Sequence, residues 1–194
     1  MDDDGNHGIH SLHLIARGAE ASVYVGILEG KKVVLKRRER KRYRERSFDD
    51  YIRKRRTRQE TRAMEKAASY VNTPKVVASH TYDIVMEYID GERPNKSEET
   101  AMLIGKLLKK IHKSGVIHND FTLANVLIKR DGAPYVIDFG LAFQSTRLED
   151  RASDLYTSAA SMGELANVVV KGYSDKEVEE RYNNIRQRMR YVKE

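Results

Sequence analysis

The sequence predicts an α+β chain in two lobes, β-rich up to about residue 90 and helical beyond it. Three observations carry this reading. Apolar residues alternate with polar or small ones between residues 10 and 36, as strands require. From Ser97 onward the apolar residues recur at helical spacing instead. A lone hairpin signal, "VLIKRDGAPYVID", interrupts the helical half. The expected division is a frayed tail over 1–8, a first lobe over 9–90, and a second lobe over 91–194 ending in a basic C-terminal tail.

Each element has its own signal. Val23, Val25 and Ile27 alternate, Glu29-Gly30-Lys31 makes a turn, and Val33-Val34-Leu35 follows, which reads as a hairpin. Ser47 and Asp50 give a capping signal for a long helix whose later apolar positions are Ala63, Met64, Ala67, Ala68 and Val71. Pro74 ends that region, and "KVVASHTYDIVMEYI" reads as two more strands. Ser97 starts a helix with Ala101, Ile104, Leu107, Leu108 and Ile111 on one face, closed by Gly115. Two further helices show in Ala152, Leu155, Tyr156, Ala159 and Met162, and in Val178, Tyr182, Ile185, Met189 and Val192.

Composition narrows the function. The chain has 194 residues, 40% hydrophobic and 34% charged, with no Cys. A disulfide framework and a Cys-ligated zinc are therefore excluded, which suits a reducing interior. No apolar run approaches membrane-spanning length and the N-terminus is acidic, so a soluble cytoplasmic protein without membrane contact is expected. A net charge of +7 favours a polyanionic partner.

The chemistry is concentrated in "HNDFTLANVLI", where Asp120 is followed by Asn125, and in "IDFG", which holds Asp138. Upstream lie Lys36 in "VVLK" and Glu60 in "RTRQE". These are the residues of the protein-kinase set in kinase order. The fold expected from them is a bilobal protein-kinase-like fold with a truncated helical second lobe. Mg2+ takes hard oxygen ligands, which Asn125 and Asp138 can supply. Lys36 brings positive charge to the phosphates of ATP, and Glu60 can orient it. Asp120 can accept or position the proton of an attacking hydroxyl. In the kinase register Ile15, Val23 and Val34 form the roof of an adenine slot, Leu127 its floor and Met86 its back. The backbones of Glu87 and Ile89 face the adenine edge, and Gly18 and Ala19 lie in the phosphate loop. Plainer readings exist: Asp120 and Asn125 as turn formers, Asp138 as a strand-end residue, Lys36 as an exposed strand Lys like Lys31 and Lys32, and Glu60 as a solvated helix charge.

The pattern also departs from a kinase. Where a loop of three glycines is expected, the chain reads Ala16-Arg17-Gly18-Ala19-Glu20-Ala21, so Glu20 either meets the phosphates or points to solvent. Asn119 stands where kinases carry the Arg that receives an activation-loop phosphate. Only 54 residues follow Gly140, and no Ala-Pro-Glu element is among them.

With these departures "RGAEASVY", "KRRERKRYR", "RTRQE", "HNDFTLANVLI", "IDFGLA" and "EDRASDLY" together resemble the small atypical kinase subunit of the KEOPS complex, from about residue 14 to the C-terminus. The resemblance implies a minimal, RIO-related Ser/Thr-type kinase that acts as an ATPase with ATP and Mg2+. It also implies a tRNA threonylcarbamoyl-adenosine synthase subunit and two small non-catalytic KEOPS subunits as partners. That family usually carries Gly where this chain has Asn119. RIO-type kinases proper are set apart by the residues after the metal-binding Asp and by a longer chain. Small-molecule phosphotransferases need a helical substrate lobe for which this chain has no room.

Residues 36–46 hold eight Lys or Arg against two Glu, and 53–58 add five more. They are either a solvated helix and its approach or a surface for the phosphate backbone of tRNA. Arg181, Arg186, Arg188, Arg190 and Lys193 form a second basic group, which the resemblance directs to the synthase subunit and its tRNA. Asp154 either braces the catalytic loop or is an exposed helix residue, and His118 orients that loop. His7, His10 and His13 have suggestive spacing but lie in a tail or early strand, where no metal site is expected. Two functions compete: an ATP-dependent enzyme, favoured by the intact Lys36, Asp120, Asn125 and Asp138, and a kinase-shaped scaffold for tRNA and partner subunits.

Overall fold

The computed structural model describes residues 7–191. The expected tail therefore lies largely outside the described residues, as do Val192 and Lys193. The chain forms two compact units. One holds the residues up to Arg62 with Pro74–Ile89, and the other holds Ala63–Thr73 with the residues from Asp90 on.

The first unit is built on a five-stranded antiparallel sheet of β1 (His10–Arg17), β2 (Ser22–Leu28), β3 (Lys31–Arg37), β4 (Val76–Ser79) and β5 (Asp83–Glu87), in the order β1-β2-β3-β5-β4. Glu29 and Gly30 both adopt positive φ, 49° and 76°, so the β2–β3 turn is a two-residue one and Lys31 already pairs with Leu28. Such a turn matches the right-handed twist of its strands. Residues directly opposite each other across a sheet share a face. The pairs Leu35↔Val85 and Leu35↔Tyr24 thus build one apolar face, where Val33, Leu35 and Val85 pack with Ile9. The pairs Val23↔Lys36, Val25↔Val34, Val34↔Met86 and Lys36↔Ile84 build the opposite one.

Helix α1 (Arg46–Ala67) begins one residue earlier than its sequence signal. The cap is neither Ser47 nor Asp50. The Glu45 carboxylate accepts the backbone N–H groups of Ser47 and Phe48 and the Ser47 hydroxyl. These hydrogen bonds, the Ser47 hydroxyl first, hold its pKa down at about 2. Asp50 instead pairs with Lys54 at 2.8 Å and accepts the Tyr82 hydroxyl. At the far end Ala63, Met64, Ala67 and Val71 are buried, whereas Ala68 lies past the last helical turn and is exposed.

The second unit opens with β6 (Gly91–Glu92) and α2 (Glu98–Lys113), which Ser97 and Thr100 start with a capping box. β7 (Val116–Ile117), β8 (Val126–Lys129), β9 (Pro134–Val136) and β10 (Phe143–Gln144) follow, then α3 (Leu148–Ser161), α4 (Ala166–Tyr173) and α5 (Lys176–Tyr191). The expected face of α2 is buried throughout. α4 has no counterpart among the sequence signals, because three consecutive valines and a near-terminal Gly172 read against a helix. It is held by packing on α2. A Cβ on Gly105 would lie 2.1 Å from the Val169 carbonyl oxygen, and one on Gly172 would lie 2.4 Å from that of Met102. The two backbones touch only because both positions are glycine. Replacing Gly105 with Ala should cost about 3 kcal/mol of stability in a denaturant titration, the upper range for an overpacked core. An unchanged midpoint would contradict this contact.

Candidate active-site residues

The sequence-derived residues fall in both units. In the first, β3 directs Lys36 to the same sheet face as Val23, Val34 and Met86. Lys36 and Glu60 are both buried, and the Lys36 ammonium donates to Glu60 Oε1 at 2.7 Å. Glu60 also takes a second cation that the motif reading did not single out: Arg38 donates to its Oε2 at 2.6 Å. The signal was present, since Arg38 lies two residues after Lys36 and so shares its side of the strand. A buried carboxylate between two cations pays for its desolvation through both, and neither cation is left unpaired. Ile15 sits at a register break in β1 and is 58% exposed. The backbone N–H of Glu87 donates to Lys75 at 2.9 Å, and Ile89 is buried.

The loop between β1 and β2 is closed by a bond from the Gly18 N–H to the Ala21 carbonyl at 2.9 Å, with Ala19 and Glu20 at its tip. Glu20 does not point to solvent. It pairs with Arg56 and, at 3.6 Å, with Arg44. Burial raises its pKa, but the Arg56 hydrogen bond and the charges of Arg56, Arg44 and Arg38 outweigh burial and leave it below the ordinary value. The anion in the loop is thereby neutralised within its own unit.

In the second unit, Asn125 ends a short 3-10 turn (Leu123–Asn125) just before β8, and Asp138 follows β9. The pair Val126↔Val136 and the bond from the Ile137 N–H to the Asn125 carbonyl at 2.9 Å bring both residues to one end of the hairpin. Leu127 is half-buried on β8. The Asn125 amide donates its Nδ2 to the Asp120 carbonyl at 2.8 Å, which turns its Oδ1 away from that bond. Asp138 has φ 61° and accepts the Gly140 N–H at 3.0 Å. Burial first, then the charge of Asp138, raises the pKa of Asp120. Among the described residues no three His, Cys, Asp or Glu cluster to hold a metal by themselves. One amide oxygen and one carboxylate fit Mg2+ of the kind that shares its coordination with substrate phosphates.

The loop carrying Asp120 is fixed by Asp154, which is buried on α3. Its carboxylate accepts the His118 N–H at 2.7 Å, the Asn119 N–H at 2.9 Å and His112 Nε2 at 3.0 Å. A carboxylate can only accept, so His112 carries its proton on Nε2, and its Nδ1 receives the Tyr173 hydroxyl at 2.7 Å. His112 and Tyr173 were not singled out by the sequence, since a lone His and Tyr on apolar helix faces read as core. Asn119 has φ 64°. This left-handed conformation suits Gly first and Asn next, which accounts for Asn at this position. His7 hydrogen-bonds Asp83 at 2.8 Å and stacks on His80, while His10 and His13 are exposed.

His118 is fully buried between the rings of Phe121 and Phe139, and neither ring nitrogen has a partner among the described residues. Desolvation lowers its pKa from 6.5 to about 4, against the opposing pull of Asp154 and Asp138. Unfolding exposes a His that protonates more readily, so stability is complete above pH 6.5 and falls as pH drops from there through about 4. The loss should approach about 3 kcal/mol. His118→Leu should retain stability at pH 8 within about 1.5 kcal/mol and flatten this acid dependence in denaturant titrations. An identical pH slope in the variant would refute the assignment.

Comparison with known proteins identifies the family. The RIO domain family matches residues 23–157. The chain is 32% identical to "KEOPS complex subunit Bud32" of Pyrococcus abyssi over 93% of this chain and 94% of the relative. It is 34% identical to the "Probable bifunctional tRNA threonylcarbamoyladenosine biosynthesis protein" of Methanosphaera stadtmanae, over 91% of this chain but 36% of that protein. The chain thus spans about a third of the bifunctional relatives. The crystal structure of the Rio2 kinase–ADP/Mg2+–phosphoaspartate complex from Chaetomium thermophilum shares the fold, with a TM-score of 0.66, 16% identity, and coverage of 94% of this chain and 72% of that one. Among the described residues no helix is long and apolar enough to cross a membrane. The separation from RIO-type kinases expected from chain length and from the residues after Asp138 is corrected at the family level, because the RIO domain family matches residues 23–157. The chain belongs to the RIO domain family, in one group with the Bud32 subunit of Pyrococcus abyssi.

Proposed function

We propose that this chain is an ATP- and Mg2+-dependent phosphotransferase of Ser/Thr type that works chiefly as an ATPase. Its setting is tRNA threonylcarbamoyladenosine synthesis, beside a synthase subunit and the small KEOPS subunits, in the cytoplasm. The observation that carries this reading is the convergence of Asp120, Asn125 and Asp138 at one end of a hairpin, with Asp154 holding the loop behind them. The two relatives described above, a KEOPS complex subunit and a tRNA threonylcarbamoyladenosine biosynthesis protein, support the setting.

The residues have distinct tasks in this reading. Lys36, oriented by Glu60, supplies charge to the nucleotide phosphates. Val23, Val34 and Met86, with Ile15 and Leu127, provide apolar surface for the base, and the backbones of Glu87 and Ile89 its polar edge. Gly18 and Ala19 carry the loop over the phosphates, with the Glu20 charge already balanced by Arg44 and Arg56. Asn125 Oδ1 and the Asp138 carboxylate hold Mg2+, which neutralises phosphate charge when bound. Asp120 takes the proton from the attacking hydroxyl or water. Its raised pKa makes it a better proton acceptor than an ordinary carboxylate.

Asp138 is exposed, so its replacement leaves the core intact. Asp138→Ala should lower Mg-ATP turnover about a hundredfold or more. Binding to the synthase subunit should be unaffected. Turnover measured with and without synthase and tRNA checks both parts, and unchanged turnover in the variant would refute the enzymatic reading.

A further inference from the structure

The basic run of the first unit divides in two when each cation is followed to its partner. Lys36 and Arg38 are held by Glu60, Arg37 by Asp83, and Arg44 and Arg56 by Glu20. Arg53 is held by Asp49 and Lys54 by Asp50. These seven cations meet five carboxylates of their own unit, with Glu60 and Glu20 each matched by two. Arg55, Arg58 and Arg62 behave differently. All three are exposed and pair with no carboxylate among the described residues. The same holds for Arg40, Arg42 and Arg46 just ahead of them. Of the carboxylates near them, Glu45 caps the helix and Asp49 and Asp50 hold Arg53 and Lys54, while Glu65, three residues after Arg62, forms no ion pair with it among the described residues.

Aromatic rings interleave with these guanidinium groups. Tyr43 is 79% exposed, Phe48 56% and Tyr51 57%. Phe48, Tyr51, Arg55, Arg58 and Arg62 recur at intervals of three or four, so they line one solvent-facing stripe of α1. At 1.5 Å per residue that stripe is about 20 Å long. Two large exposed rings on this stripe, with the exposed Tyr43 just ahead of the helix beside Arg44, mark a contact surface.

A polyanion satisfies the arginines, and flat apolar partners satisfy the rings. Unpaired nucleic acid presents both along one strand, because its phosphates repeat and its bases are free to stack. A duplex buries its base faces, and an acidic peptide brings charge without such faces. We propose that the α1 stripe with Tyr43 is a binding surface for single-stranded RNA. Arg55, Arg58 and Arg62 hold phosphates, and Tyr43, Phe48 and Tyr51 stack on unpaired bases. This rests on the functional reading above only for naming tRNA as the source of the strand, and it uses none of the residues assigned to ATP chemistry.

The test is fluorescence anisotropy of the full chain with a short labelled oligouridylate, an RNA duplex of equal length, and polyglutamate as competitor. The oligouridylate should bind more tightly than the duplex and resist polyglutamate. Phe48→Ala and Tyr51→Ala should each weaken it about tenfold. Arg55→Gln should reduce the slope of log affinity against log salt by about 0.7, one phosphate contact on a single strand. Thermal melts and Mg-ATP turnover of these variants should match the parent chain, so failure of the ATP assignment would leave this result untouched. Equal binding of duplex, or aromatic variants that bind like the parent, would overturn the proposal. Displacement by polyglutamate as readily as by RNA would also overturn it, in favour of an acidic protein partner.

Discussion

One buried carboxylate organises the loop that carries Asp120. Asp154 gives its two oxygens to the backbone N–H groups of His118 and Asn119 and to the ring of His112. Removing a carboxylate from water is costly unless its lone pairs are filled, and here three donors from two segments fill them. The loop cannot move without orphaning that charge. Asn119 can therefore stay at positive φ, and Asp120 is delivered at a fixed place beside Asn125. Tyr173 extends the chain of bonds to α4, so packing of the α2–α4 pair and orientation of the loop are linked through His112.

The first unit solves a different electrostatic problem. It carries far more cations than carboxylates, yet the buried ones are matched. Glu60 serves Lys36 and Arg38, and Glu20 serves Arg44 and Arg56. Glu20, the acid in the loop between β1 and β2 that looked most damaging to nucleotide binding, is balanced locally. The excess positive charge is displaced to the exposed face of α1, where solvent and salt screen it. Placement, rather than net charge, distinguishes structural cations from those available to a partner.

Much of this was legible in the sequence, for identifiable reasons. The face of α2 and the strands around Lys36 follow from strong periodicity. Asp120, Asn125 and Asp138 follow from a spacing that few other chemistries need. The start of α1 was misplaced because Glu45 does what Ser and Asp usually do, and a Glu cap has weak statistical weight. α4 was missed because its stability is tertiary: Gly105 and Gly172 permit a close approach that local propensity cannot express. The His112–Tyr173 bond joins residues 61 apart and leaves no periodic trace. Asp154 was visible as a candidate, but only its three donors distinguish it from an exposed helix acid.

The central claim is that Asn125 and Asp138 share one divalent ion with ATP. The most direct measurement is anomalous diffraction from crystals of the full chain grown with Mn2+ and a non-hydrolysable ATP analogue. The account predicts a manganese peak within bonding distance of Asn125 Oδ1 and an Asp138 carboxylate oxygen, with the Asn125 Nδ2 bond to the Asp120 carbonyl retained. Nucleotide bound with manganese elsewhere, and neither side chain ligating it, would contradict the account.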